Sequence, residues 1–106
     1  MQFGIFTVGD VTTDPTTGRT QTEAERIKAM VAIATKAEEV GLDVFATGEH
    51  HNRPFVPSSP TTMLAYVAAS TSRLLLSPST TLITTNDPVK IAEDYAMLQH
   101  LADGRV

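Results

Sequence analysis

The sequence contains no cysteine and no tryptophan, and it has neither a basic cluster nor a long uninterrupted apolar run. Without cysteine, the chain can form no disulfide framework and no thiolate metal site. The formal net charge of −4 argues against nucleic-acid binding through phosphate contacts. The N-terminus lacks a signal-peptide pattern, and no segment is long enough to cross a bilayer. These absences predict a cytoplasmic protein with no nucleic-acid partner and no membrane partner.

The chain has 106 residues, of which 42% are hydrophobic, and this is enough for one small domain with a packed core. Short apolar runs at residues 2–8, 42–47 and 73–77 predict three strands. The first run has little polar alternation, which predicts a strand covered on both faces. Helical patterns follow the strands, and Gly41 and Gly104 end the first and third helices because glycine adopts a left-handed backbone without steric cost.

Polar side chains mark the predicted helix starts. Thr22 and Glu25 have capping-box spacing, in which each side chain bonds a free backbone amide near the other residue. Ser59 and Asp87 each precede a proline, a pattern typical of an N-cap followed by the first helical residue. Glu38 lies off the apolar stripe of the first helix, so we assign it to the solvated face.

Strands and helices alternate as β-α-β-α-β-α, and Arg105-Val106 has the character of a further strand start. This alternation predicts an α/β fold with a parallel sheet and right-handed crossovers. A TIM (β/α)8 barrel needs eight βα units, and this chain supplies three. Residues 1–106 are therefore either a small open sheet or the N-terminal portion of a barrel, and the stop at the threshold of a strand favours the barrel. No glycine-rich dinucleotide fingerprint supports a Rossmann fold.

An acid and two imidazoles end the second predicted strand. Glu49, His50 and His51 follow the β-forming run 44–47 almost directly. In parallel α/β folds, ligands bind at the carboxyl ends of the strands. Histidine has an unperturbed pKa of about 6.5, which suits proton transfer near neutral pH. We therefore assign His50 as the catalytic candidate, Glu49 as the group that orients it, and His51 to packing or contact with a substrate loop.

The same three side chains are ligand types for zinc or iron, so a metal site is the alternative. Successive side chains of a strand alternate between its two faces, and neighbours therefore rarely bind one ion. A third ligand at suitable spacing is missing, and His100 belongs to a different predicted helix. We therefore predict no metal.

Four blocks of the sequence, taken together in this order and spacing, resemble the bacterial luciferase-like flavin-dependent monooxygenases. The blocks are Phe3-Gly4-Ile5-Phe6, Gly48-Glu49-His50-His51, Thr84-Thr85-Asn86-Asp87-Pro88-Val89 with Ile91-Ala92-Glu93-Asp94, and Leu98-Gln99-His100-Leu101-Ala102-Asp103-Gly104-Arg105. The resemblance covers nearly the whole chain. It implies a TIM barrel, reduced FMN or the deazaflavin F420 as cofactor, and a dimer.

The resemblance also implies roles for individual residues. His50 matches the family histidine that lies beside the isoalloxazine ring and acts in proton transfer. Glu49 matches its acidic neighbour near the flavin. Ser79 and Thr80 match the bulged end of the third strand, where a non-prolyl cis peptide lies behind the flavin. Glu93 matches a helix position near the cofactor. The family's phosphate-binding residues come later in its sequence.

These observations give one leading hypothesis and two alternatives. The leading one is an oxidoreductase, a monooxygenase that uses reduced FMN and O2 to oxidise a small organic substrate, works as a homodimer and receives reduced FMN from a flavin reductase. The first alternative is an F420-dependent oxidoreductase of the same fold, in which His50 serves hydride transfer. The second alternative is a non-catalytic flavin-binding protein or partner subunit. The substrate is not predicted.

Overall fold

The computed structural model describes residues 1–106 and contains three strands and three helices in strict alternation. In chain order, the elements are β1 (Gly4–Thr7), α1 (Glu23–Glu39), β2 (Val44–Thr47), α2 (Pro60–Ser70), β3 (Leu75–Pro78) and α3 (Pro88–Leu101). The strands form one parallel sheet in the order β1-β2-β3. The predicted α/β fold with a parallel sheet is therefore confirmed. No helix has both the length and the apolar character needed to span a lipid bilayer.

The hydrophobic core lies on one face of this sheet. Twelve buried residues form it: Met30, Ala34, Ala37, Phe45, Met63, Leu64, Val67, Ala68, Leu74, Leu76, Leu98 and Ala102. Phe6 of β1 is 52% exposed, because successive strand residues point to opposite faces and the second face carries no helix. The prediction that β1 is covered on both faces is therefore wrong for this chain. The sheet is open, and closure into a (β/α)8 barrel stays a prediction.

Two of the three predicted helix caps form as expected. Thr22 Oγ1 accepts a hydrogen bond from Glu25 N at 3.2 Å, and Glu25 Oε2 accepts one from Thr22 N at 2.8 Å. Asp87 Oδ1 accepts hydrogen bonds from two backbone N–H groups at the start of α3. Ser59 makes no cap to the backbone, because its hydroxyl pairs instead with the Thr62 hydroxyl at 2.8 Å.

Arg105 connects the end of the chain to the second and third βα units. Its guanidinium donates to the carbonyl oxygens of Ala68, Thr71 and Leu74 at 3.0–3.2 Å. Its own carbonyl accepts a hydrogen bond from Leu76 N at 2.7 Å, which places residue 105 beside β3. A single arginine thus hydrogen-bonds carbonyl groups at the end of α2 and just before β3.

The prediction that Glu38 belongs to the solvated face of α1 is wrong, because its carboxylate is bound by backbone N–H groups. It accepts hydrogen bonds from the backbone N–H groups of Ser72, Arg73 and Leu74, at distances down to 2.7 Å. Burial raises the pKa of Glu38, but these three N–H donors outweigh burial and lower the pKa to about 2. The end of α1 therefore fixes the segment that leads into β3.

We expect Glu38→Gln to lower the free energy of unfolding by about 1–2 kcal/mol, a value reduced for the partial exposure of the site. The folded-state pKa of Glu38 lies below its usual 4.5, so its stabilisation is complete above that pH and is lost as the pH falls towards 2. Denaturant unfolding at pH 7, 4 and 3 measures this effect. The control is Glu39→Gln, since Glu39 pairs only with Lys36 on the helix surface. Equal losses in the two variants would contradict the assignment.

Candidate functional site at the carboxyl ends of the strands

The parallel register brings the carboxyl ends of all three strands to one edge of the sheet. Thr7 aligns with Thr47, and Thr47 aligns with Pro78. A backbone hydrogen bond connects the segments that follow β2 and β3, since Glu49 N donates to Thr80 O at 3.0 Å. The predicted site residues after β2 and β3 therefore lie side by side.

His50 is held against the loop that follows β2. Its backbone N–H donates to Pro57 O at 2.8 Å, and its ring packs on Phe55 with the ring centroids 4.6 Å apart. The Nε2 atom of His50 is buried and has no hydrogen-bond partner. The imidazole is thus half-buried at the strand edge and does not extend into bulk water.

Gly48 allows this close packing because it has no side chain. A Cβ atom at residue 48 would lie 3.0 Å from His50 Nε2 and 3.0 Å from Ser79 O. The peptide bond between Ser79 and Thr80 is cis, which confirms that prediction. Gly48 and the end of β3 therefore determine how far the His50 ring can approach the sheet.

Glu49 is buried, with its side chain 3% exposed, and it is surrounded by donors. It accepts from Leu82 N at 2.9 Å, Asn86 Nδ2 at 3.0 Å, His51 Nε2 at 2.8 Å and Thr85 Oγ1 at 3.4 Å. Burial raises the pKa of Glu49, but the hydrogen bonds, led by the one from Leu82 N, bring the pKa below its usual value. The carboxylate is therefore ionised at neutral pH.

The partner of Glu49 is His51, and the expectation that Glu49 orients His50 is wrong. Residues two apart along an extended chain point to the same side, whereas adjacent residues point to opposite sides. His51 therefore forms the imidazole–carboxylate contact and is not simply a packing residue. Sequence reasoning also missed Asn86 and Thr85, although both belong to a block that carries the family resemblance.

The other predicted cofactor residues are placed differently. Ser79 and Thr80 are exposed at the end of β3, next to Gly48 and Glu49. Glu93 is exposed on α3 and makes no hydrogen bond or ion pair. Its neighbour Asp94 pairs with Lys90 at 2.8 Å. Ser79 and Thr80 thus lie at the site, whereas the Glu93 side chain makes no hydrogen bond or ion pair with any residue of it.

Two cavities of about 580 Å³ each lie between helices, one between α2 and α3 and the other between α1 and α2. Glu49 lines the first, and neither His50 nor His51 lines either of them. No group of three or more histidine, cysteine, aspartate or glutamate side chains is arranged to hold a metal ion. The candidate site is therefore the open surface at the strand ends and not an enclosed pocket.

Comparison with known proteins identifies the family. The family model for luciferase-like monooxygenases matches residues 1–106. The chain belongs to this family. Among its relatives, the N-acetyl-S-alkylcysteine monooxygenase of Bacillus subtilis is 34% identical over 90 residues, which are 84% of this chain and 27% of the relative. The chain thus spans about a quarter of the length of the curated relatives that it matches.

Solved structures of two monooxygenases share this fold. Monooxygenase RslO1 from Streptomyces bottropensis superposes with a TM-score of 0.84 at 28% identity, over 99% of this chain and 31% of that one. The oxygenating constituent of 3,6-diketocamphane monooxygenase from Pseudomonas putida, solved in complex with FMN, superposes with a TM-score of 0.85 over 99% of this chain and 28% of that one. Its 20% identity supports the fold alone.

We expect Gly48→Ala to displace the His50 ring and to lower the free energy of unfolding by about 1–3 kcal/mol, because the new methyl group meets His50 Nε2 and Ser79 O. A double-mutant cycle with His50→Ala separates the two contacts. Denaturant unfolding of the four proteins should show a smaller cost of Gly48→Ala when the imidazole is absent. Strictly additive costs would show that His50 does not pack on residue 48.

Proposed function

We propose that this protein is a flavin-dependent monooxygenase that uses reduced FMN and O2 to oxidise a small organic molecule, with His50 as a proton-transfer residue. The observation that carries the proposal is the His50 ring at the shared strand edge. It lies between Phe55 and Gly48 and has a buried nitrogen without a hydrogen-bond partner. An imidazole fixed in this way, with a ring nitrogen that no protein group uses, can serve as a proton-transfer group.

The residues at the strand ends fit a flat redox cofactor. Gly48 lets the His50 ring lie close against the sheet, and Ser79 and Thr80 are exposed next to it. These residues and His50 would lie along the ring of reduced FMN, which supplies the electrons for oxygen chemistry when it is bound. Glu49 would not contact the cofactor, since its oxygens already accept four hydrogen bonds. Glu93 remains a proposed cofactor contact from the resemblance alone.

The alternative with the same fold is an F420-dependent oxidoreductase, in which His50 serves hydride transfer. Relatives whose names identify them as monooxygenases favour FMN and O2 over F420. The proposal includes a cytoplasmic homodimer that receives reduced FMN from a flavin reductase. The alternative of another class is a non-catalytic flavin-binding or partner subunit, and the orphaned His50 nitrogen argues for chemistry over this role.

Anaerobic titration of the intact protein with reduced FMN and, separately, with reduced F420 tests the cofactor. We expect saturable binding of FMN, followed by flavin oxidation and substrate oxygenation when O2 is admitted. Binding of F420 alone would replace the proposal with the hydride-transfer alternative. Binding of FMN without turnover of any small organic substrate would favour the non-catalytic role.

We expect His50→Gln to lower kcat by about 100-fold, because general acid–base groups contribute rate factors of this order. Gln keeps polarity at residue 50 but cannot exchange a proton, so the Kd for FMN should change little. Stopped-flow kinetics and flavin fluorescence titration measure the two quantities. Unchanged turnover with normal FMN binding would remove His50 from the mechanism.

A further inference from the structure

Glu49 and His51 form a carboxylate–imidazole pair that the proposed function does not use. His51 Nε2 lies 2.8 Å from Glu49 Oε1. The Glu49 side chain is 3% exposed and the His51 side chain is 46% exposed. One member of the pair is thus fixed inside the protein, while the other is reachable from the surface at the carboxyl end of β2.

The hydrogen bonds around Glu49 determine which ring nitrogen of His51 is free. The ionised Glu49 carboxylate can only accept, and it already accepts from Leu82 N and Asn86 Nδ2. The atom between Glu49 and His51 must therefore be a hydrogen on Nε2 of the imidazole. In the neutral ring, a proton on Nε2 leaves the lone pair on Nδ1. No group of the protein makes a hydrogen bond to Nδ1.

The two adjacent histidines therefore differ in their chemistry. His50 packs on an aromatic ring and has no carboxylate partner. His51 has a carboxylate that fixes its tautomer, an arrangement found where an imidazole acts as an acid or base. Asn86 and Leu82 of the segment after β3 hold that carboxylate in place. The pair is thus supported by two different strand ends.

We propose that His51 is a second proton-transfer residue of this site, that Nδ1 is the atom which meets the ligand, and that Glu49 is its positioning residue. This inference rests on the proposed function, which identifies the ligand as the flavin or its substrate. In the step, a ligand O–H or N–H bond breaks and its proton forms a bond to Nδ1, while Glu49 keeps the Nε2 hydrogen bond and balances the imidazolium charge. The proton then returns to the product, and the protein is unchanged.

Ring nitrogen spectroscopy tests the geometry without any cofactor. In the intact protein labelled with ¹⁵N-histidine, we expect the neutral His51 ring to show a protonated Nε2 and an unprotonated Nδ1. In Glu49→Gln, the neutral amide can accept or donate, so we expect a mixture of the two tautomers. A neutral wild-type His51 with its proton on Nδ1 would overturn the proposal.

Kinetics in the FMN-loaded intact protein test the role itself. We expect His51→Gln to lower kcat by about 100-fold. We expect Glu49→Gln to lower kcat by about tenfold or more, through loss of the fixed tautomer. The Kd for FMN should stay within about threefold of the wild-type value, so that the loss is in kcat and not in binding. The matched control is His100→Gln, since His100 is an exposed residue in the last turn of α3.

The outcomes separate this inference from the function on which it rests. A wild-type protein that binds no flavin and has no activity overturns the proposed function together with the role of His51. A wild-type protein that binds FMN and turns over, with kcat unchanged in His51→Gln, overturns the role of His51 alone. Equal losses in His51→Gln and His100→Gln would indicate a general effect of histidine replacement and would also overturn it.

Discussion

A buried carboxylate needs donors on every side, and this requirement at Glu49 organises the carboxyl edge of the sheet. Four donors from four residues meet its two oxygens, and three of these residues come from the segment after β3. Without those donors, the charge would carry an uncompensated desolvation penalty of several kcal/mol. The carboxylate therefore holds the ends of β2 and β3 together and fixes the orientation of the His51 ring through its Nε2 atom.

A second carboxylate has a corresponding role at the opposite edge of the sheet. Glu38, at the end of α1, accepts from the three backbone N–H groups that lead into β3. β3 is thus held before its first residue by Glu38 and after its last residue by Glu49. In α/β folds of this kind, the amino edge of the sheet serves stability and the carboxyl edge serves chemistry. Glu38 lies at the amino edge, and Glu49, with its proposed role as a positioning residue, lies at the carboxyl edge.

The two adjacent imidazoles have different surroundings because adjacent side chains of an extended chain point to opposite sides of the backbone. His50 faces an aromatic ring and the space above Gly48, and His51 faces the Glu49 carboxylate. A paired histidine sequence therefore supplies two chemically distinct groups to one strand end. Membership of the luciferase-like monooxygenases supports the chemistry proposed for this strand end, and we propose that both rings take part in it.

The sequence by itself determined the alternation of strands and helices, the caps at Thr22 and Asp87, and the place of the Glu49-His50-His51 segment at a strand end, because periodicity, capping and turn signals are local. Tertiary structure alone decided what each polar side chain contacts. The sequence pattern places Glu38 in solvent because its backbone donors lie more than 30 residues away. It pairs Glu49 with His50, whereas the fold pairs Glu49 with His51 and with donors from the segment after β3. Such long-range hydrogen bonds leave no periodic signal. They follow only from the parallel register that brings separate strand ends together.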